Sequence, residues 1–230
     1  MRVIEIFPEL WKAVYERHIQ AGIIAGGHDA FHAARVGQHA LNIAEDESTA
    51  GLAGIAGLCH NADRILQHEL KVGRKDVPEE MVVALINEWL DKTDLFAEER
   101  AIVFDALLKH SLPNDHNDSP VLVALKDADR LINLEPDIII RSAHFYPEYP
   151  AVDPVHWLSD PKATFREPRS VIRDLSHCAE WGNFDDPKFG IRLPGAQALA
   201  KKHAEYLLDY IKRVKQVWEE AGLLPFIPPK

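Results

Sequence analysis

The stretch Gly26 to Val36, read GGHDAFHAARV, sets His28, His32 and Arg35 at offsets of 0, 4 and 7 behind a glycine pair. Residues so spaced line one face of a helix, and the rest of the chain must pack around that polar stripe. Two more polar clusters, Cys59-His60-Asn61-Ala62-Asp63-Arg64 and Lys126-Asp127-Ala128-Asp129-Arg130-Leu131, interrupt segments that are otherwise apolar. Three polar interruptions of three apolar helices point to one shared site.

Pro8 suits the first turn of a helix, and Leu10, Trp11, Val14, Tyr15 and Ile19 recur at helical spacing up to Gly22. The next helix starts near His28 or Asp29, where Asp29 can cap free N–H groups, and runs through Ile43 to the acidic stop Glu45-Asp46-Glu47. Ser48 or Thr49 opens a third, whose Ala50, Gly51, Ala53, Gly54, Ala56 and Gly57 let neighbouring helices approach closely. Glycine costs about 1 kcal/mol against alanine inside a helix, so that run implies a packed centre. After the start signals Asp76 and Pro78, a stripe from Met81 to Leu90 predicts a further helix. Others are expected over Leu95 to His110, Val121 to Leu134, Ser170 to Trp181 and Gly195 to Ala221.

Leu112 to Pro120 is dense in turn residues and reads as a loop near the mouth of the pocket. His144 to Arg169 carries five prolines and reads as an irregular covering segment, and Gly182 to Pro194 as a second irregular link. No Val/Ile/Thr-rich alternation bounded by turns demands a sheet. The expectation is an all-α fold: one domain over residues 1–230, with a core at about 20–135 that bears the motifs and C-terminal helices at about 169–221 packed on it.

The net charge of -10, with no basic block to offset it, disfavours a partner such as extended nucleic acid or an anionic membrane. A small anionic substrate stays compatible if a cation and a local arginine reverse the field inside a pocket. Cys59 and Cys178 are too few for a disulfide framework, which fits a reducing, cytoplasmic setting. The opening MRVIEIFPEL lacks the pattern of a signal peptide, and no apolar run approaches the ~20 residues of a spanning helix.

The three clusters together resemble the HD-domain superfamily of metal-dependent phosphohydrolases. His32-Ala33-Ala34-Arg35-Val36 matches its HxxRV motif, Leu58-Cys59-His60-Asn61 its His-Asp pair at the end of an apolar run, and Ala128-Asp129-Arg130-Leu131 its last aspartate. GHDxxHxxRV, Lys109-His110-Ser111 and the final QALAKKHAEYLLDYI are similar to the small stand-alone hydrolases of that superfamily, over about three quarters of the chain. The resemblance implies a helical bundle of the HD type, and a divalent metal (Mn, Fe, Co, Ni or Mg) held by His32, His60 and Asp129 and assisted by Asn61. It also implies a nucleotide or other small phosphorylated molecule as substrate. Two imidazoles and a carboxylate leave coordination positions open for water and a phosphate oxygen. Asp127 and Asp129 cannot both be direct ligands from a regular helix, because two residues subtend roughly 200°. The family pattern selects Asp129 and leaves Asp127 as an orienting or solvent-facing group.

Asn61 stands where the family has aspartate. An amide offers one carbonyl oxygen and no charge, which disfavours a two-metal centre and, more strongly, paired-iron oxygenase chemistry. Asp63 is read either as a compensating base or water-mediated ligand, or as the ion-pair partner of a nearby arginine. Arg64 stands at the family's phosphate-contacting lysine, and its planar fork suits phosphate oxygens. Arginines near acidic residues are also often structural, and Arg35 is read that way. His110 matches a histidine that lines the substrate side or protonates a leaving group. His116, in the loop, is a weaker substrate-side candidate, and His28 is either at the pocket or solvated. The competing reading is an HD domain that has lost catalysis and binds a metal or nucleotide as a sensor or scaffold.

Overall fold

The computed structural model describes residues 1–23, 27–224 and 226. Eleven α-helices and one 3-10 turn make up its regular structure, with no strand among the described residues. A four-residue helix α1 (Val3–Ile6) leads into α2 (Pro8–Gln20), which has its proline in the first turn as expected. Gly26 lies outside the described residues. Gly27 takes φ +95°, a turn that costs other residues more, and hands the chain to α3 (Ala30–Ile43). Asp29 caps α3 by accepting the His32 backbone N–H at 2.9 Å, as its sequence position predicts.

Helix α4 (Glu47–Cys59) starts before the expected Ser48 or Thr49. Asp46 is the physical reason: its carboxylate accepts the Thr49 N–H at 2.8 Å and both neighbouring hydroxyls, so one residue of the acidic stop is itself the cap. His60 and Asn61 then break the helix, and α5 (Ala62–Leu70) sets off on its own. The 3-10 turn Arg74–Asp76 joins it to α6 (Glu79–Leu90), which is followed by α7 (Ala97–Lys109) and α8 (Pro120–Ile132). Beyond Pro136 comes α9 (Ile138–Phe145), a helix without a sequence expectation. Then come the irregular proline-bearing stretch, α10 (Val171–Glu180) and the long α11 (Pro194–Glu220).

Helices α3, α4 and α8 pack on one another in a triangle, with α2 and α7 against it, α11 against α8 and α3, and α10 packed on α11 and α9. One continuous core runs through all of them, so the chain is a single all-α domain. The α3–α4 contact is backbone to backbone. A Cβ built on Gly57 would lie 2.5 Å from Gly37 Cα and 2.6 Å from its nitrogen. The small residues of α4 therefore serve the close approach their sequence implied.

The 112–120 loop is not free to move over a pocket mouth. Buried Lys126 holds Pro113 O and Asp118 Oδ2, each at 2.8 Å, and Arg130 holds Asn114 Oδ1 at 2.8 Å. No helix among the described residues is long and apolar enough to cross a membrane.

Candidate metal centre

His32 sits in the first turn of α3, His60 directly after the last turn of α4, and Asp129 on the inner face of α8. The triangle of helices therefore brings all three together. His32 Nε2 lies 3.2 Å from His60 Nε2 and 3.4 Å from Asp129 Oδ1, and His60 Nε2 lies 3.8 Å from that same oxygen. Adjacent ligands about 2.1 Å from one tetrahedral or octahedral cation are separated by about 3.0–3.4 Å, so the two separations from His32 match a shared cation and the third, at 3.8 Å, is slightly wider. Both imidazoles are buried, whereas 32% of the Asp129 side chain stays accessible and marks the open side.

Tautomers follow from local structure. His60 Nδ1–H donates to the Gly57 carbonyl at 2.7 Å, one of the carbonyls orphaned at the end of α4, which leaves the Nε2 lone pair facing His32 and Asp129. His110 caps α7 in the same way, donating Nδ1–H to Leu107 O at 2.7 Å, and its ring meets that of His60 edge-on at 5.8 Å between centroids. Burial pushes the His60 imidazole down to about 3, against the pull of Asp129, so it is neutral at physiological pH. Burial also opposes ionisation of Asp129. The hydrogen bond from His32 leads the effects that outweigh it and hold the carboxyl far below the usual range. A neutral imidazole and an ionised carboxylate are the protonation states that bind metal.

His28 stands at the cluster, partly buried: its ring lies 5.3 Å from that of His32, and burial, then His32, holds its pKa well below the ordinary histidine value. Asn61 is buried beside His60 and donates Nδ2–H to the His28 carbonyl at 3.3 Å, tying the start of α5 to the entry of α3. Arg64 donates to Gln67 Oε1 at 3.1 Å. Burial lowers its pKa first, the Arg74 guanidinium adds to that, and Asp63 and Asp129 oppose it.

Two expected site residues are placed differently. Asp63 is the carboxylate of an ion pair, accepting Arg74 Nε–H at 2.6 Å. Of its two sequence readings the ion pair holds, and Arg74 is the residue the motifs did not reveal. His116 has 86% of its side chain exposed and pairs only with Asp115, since the loop carrying it is pinned to Lys126 and Arg130.

Asp127 is buried and not solvent-facing: Oδ2 accepts the backbone N–H groups of Arg192 and Leu193 at 2.8 and 2.7 Å, orienting the start of α11. Arg35 pairs with Asp137 and Glu135, the structural role expected of it. A second group, Asp153, His156 and Asp160, also has ligand atoms close together, but it is less enclosed than the first.

No family model matches the chain, and no curated protein matches it. Among solved structures it is similar to the crystal structure of a structural-genomics target from Lactobacillus plantarum, with a TM-score of 0.61 and 16% identity over 93% of this chain and 97% of that one. At that identity the likeness concerns the fold.

Proposed function

We propose that the protein is a metal-dependent phosphohydrolase of the HD type, acting on a nucleotide or another small phosphate ester, with one divalent cation held by His32, His60 and Asp129. The observation that carries the reading is the convergence of two Nε2 atoms and one carboxylate oxygen within 3.8 Å of one another at a partly open helix junction. The donor set fits a borderline cation such as Mn, Fe, Co or Ni better than Mg, which favours oxygen ligands. When bound, such an ion supplies a Lewis acid for a phosphate oxygen and lowers the pKa of a water.

The protein's own groups do the rest. His60 is held in the ligating tautomer by Gly57 O. His110, with Nδ1 committed to Leu107 O, has Nε2 free to take or give a proton at the leaving oxygen. Asp63, engaged by Arg74, is not the proton carrier in this scheme. Arg64 contributes positive charge near Asp129 for an anionic substrate.

The test is elemental analysis of protein purified without chelator, followed by a broad panel of phosphate esters offered to protein loaded with Mn, Fe, Co or Ni. Hydrolysis that disappears in His60→Ala supports the reading, and no hydrolysis with any of the metals refutes it.

A second reading, a domain that binds a metal or nucleotide without turnover, is favoured by Asn61, whose amide is occupied with the His28 carbonyl and brings no charge. Hydrolysis that appears only in Asn61→Asp would support it.

A further inference from the structure

We propose that Arg74, held in place by Asp63, binds a phosphate-sized oxyanion in the cavity beside His60. The chemistry of that ligand rests on the hydrolase reading above, and its location rests on the geometry here. The cavity measures about 80 Å³, and Asp63, Arg74, His60, His110 and Ser111 line its polar side, while apolar side chains of α6 and α7 close the rest. One water needs about 15 Å³, so there is room for a group of several heavy atoms.

Asp63 Oδ2 takes the Arg74 Nε–H at 2.6 Å. Neither terminal nitrogen of Arg74 donates to a protein acceptor among the described residues, and 34% of the side chain is accessible. The guanidinium is thus oriented through one edge and offers its other donors, a fork that matches two oxygens of a phosphate. Asp63 acts through Arg74 as a positioning residue. The pairing also explains why a carboxylate three residues from His60 lies outside the ligand cluster: its charge is spent on orienting a cation.

The experiment is titration calorimetry of inorganic phosphate into the metal-stripped protein and its R74Q, R74K and D63N variants, with Mn2+ binding followed separately by electron paramagnetic resonance. Loss of a charge-assisted contact weakens binding by about tenfold or more. R74Q should therefore bind phosphate at least about tenfold more weakly while Mn2+ affinity stays within about threefold of wild type. R74K, which keeps the charge without the fork, should recover part of the loss. D63N, which keeps Arg74 but loosens it, should fall between wild type and R74Q.

Phosphate binding by R74Q at wild-type strength overturns the proposal, as does the absence of phosphate binding by the wild type. If the wild type fails to bind Mn2+ and R74Q still loses phosphate, the hydrolase reading falls and this inference stands.

Discussion

Gly57→Ala tests the link between helix packing and the metal centre most directly. The added Cβ would meet Gly37 Cα at 2.5 Å, Gly37 N at 2.6 Å and the Val36 carbonyl carbon at 2.9 Å. All three are backbone atoms of α3, so no side chain can rotate away, and the nearest contact is about 0.9 Å short of ordinary van der Waals distance. Helices α3 and α4 must separate by about that much, at an overpacking cost of about 1–3 kcal/mol. The better helix propensity of alanine returns up to about 1 kcal/mol. Because backbone meets backbone, the cost belongs at the upper end, and the net expectation is a loss of about 1–2 kcal/mol, or about 2–8 °C in Tm for a domain of this size. The same displacement would take the His32–His60 separation from 3.2 Å to about 4 Å, wider than the spacing of adjacent ligands on one cation. Mn2+ affinity should fall about tenfold or more. Gly51, with nothing within 4 Å of its built Cβ, is the control, and Gly51→Ala should gain up to about 1 kcal/mol. Urea unfolding and Mn2+ titration of both variants decide the matter. Gly57→Ala as stable as Gly51→Ala, with wild-type Mn2+ binding, would refute the packing argument.

Asn61→Asp should raise cation affinity, because it adds a charge at the cluster, yet destabilise the metal-free protein by about 1–3 kcal/mol by placing a carboxylate against the His28 carbonyl that the amide now serves. Equal stability of the two chelated proteins in urea would count against that hydrogen bond. Acid should destabilise the metal-free fold well before its carboxylates titrate. His60 is neutral in the fold down to about pH 3, so between about 6.5 and 3 the unfolded chain takes up a proton the folded one does not, and stability falls as pH drops through that window. From pH 7 to pH 5 this one group accounts for about 2 kcal/mol, and chemical denaturation showing no loss over that interval would contradict the buried neutral imidazole. Asp118→Asn leaves the buried Lys126 ammonium without its counter-charge and weakens the hold on Arg192, so unfolding free energy should drop by about 3 kcal/mol. A drop of a few tenths would mean the pair is effectively solvated.

His32, His60 and Asp129 are legible in the sequence because each interrupts an apolar helix, and an unsupported polar group in such a place needs a common partner. Asp29 as a cap is legible too, from capping chemistry; the helix angle says only that Asp127 and Asp129 cannot both be ligands, and the choice of Asp129 comes from the family resemblance. What is illegible depends on partners distant in sequence. Nothing near Asp63 says that Arg74 will reach it, since the 3-10 turn that returns the chain has no periodicity to read. His116 looks mobile among turn residues, but Lys126 and Arg130, eight to sixteen residues away from the loop positions they hold, pin its neighbours. Helix α9 is hidden because Pro136 reads as a stop. Here Ile138 N–H and Ile140 N–H bond Glu135 O and Asp137 O, and the proline sits in the turn that leads into a new helix.

The break at His60–Asn61 bears on the missing charge at Asn61. Unbroken, α4 would satisfy the Gly57 carbonyl with a backbone N–H and leave His60 with no fixed tautomer. Because the helix ends there, the imidazole takes over that carbonyl, and the negative end of the α4 dipole lies at the cluster. Helix α7 ends beside it at His110 in the same manner. The two C-termini each carry roughly half a negative charge, and α5, which begins at the same break with no side-chain cap, brings an opposing positive N-terminus. The N-terminus of α3, which carries His32, opposes them, but the Asp29 carboxylate caps it. What the break supplies is therefore a fixed His60 tautomer, and the position of Asn61 carries a hydrogen-bond donor that ties the start of α5 to the His28 carbonyl.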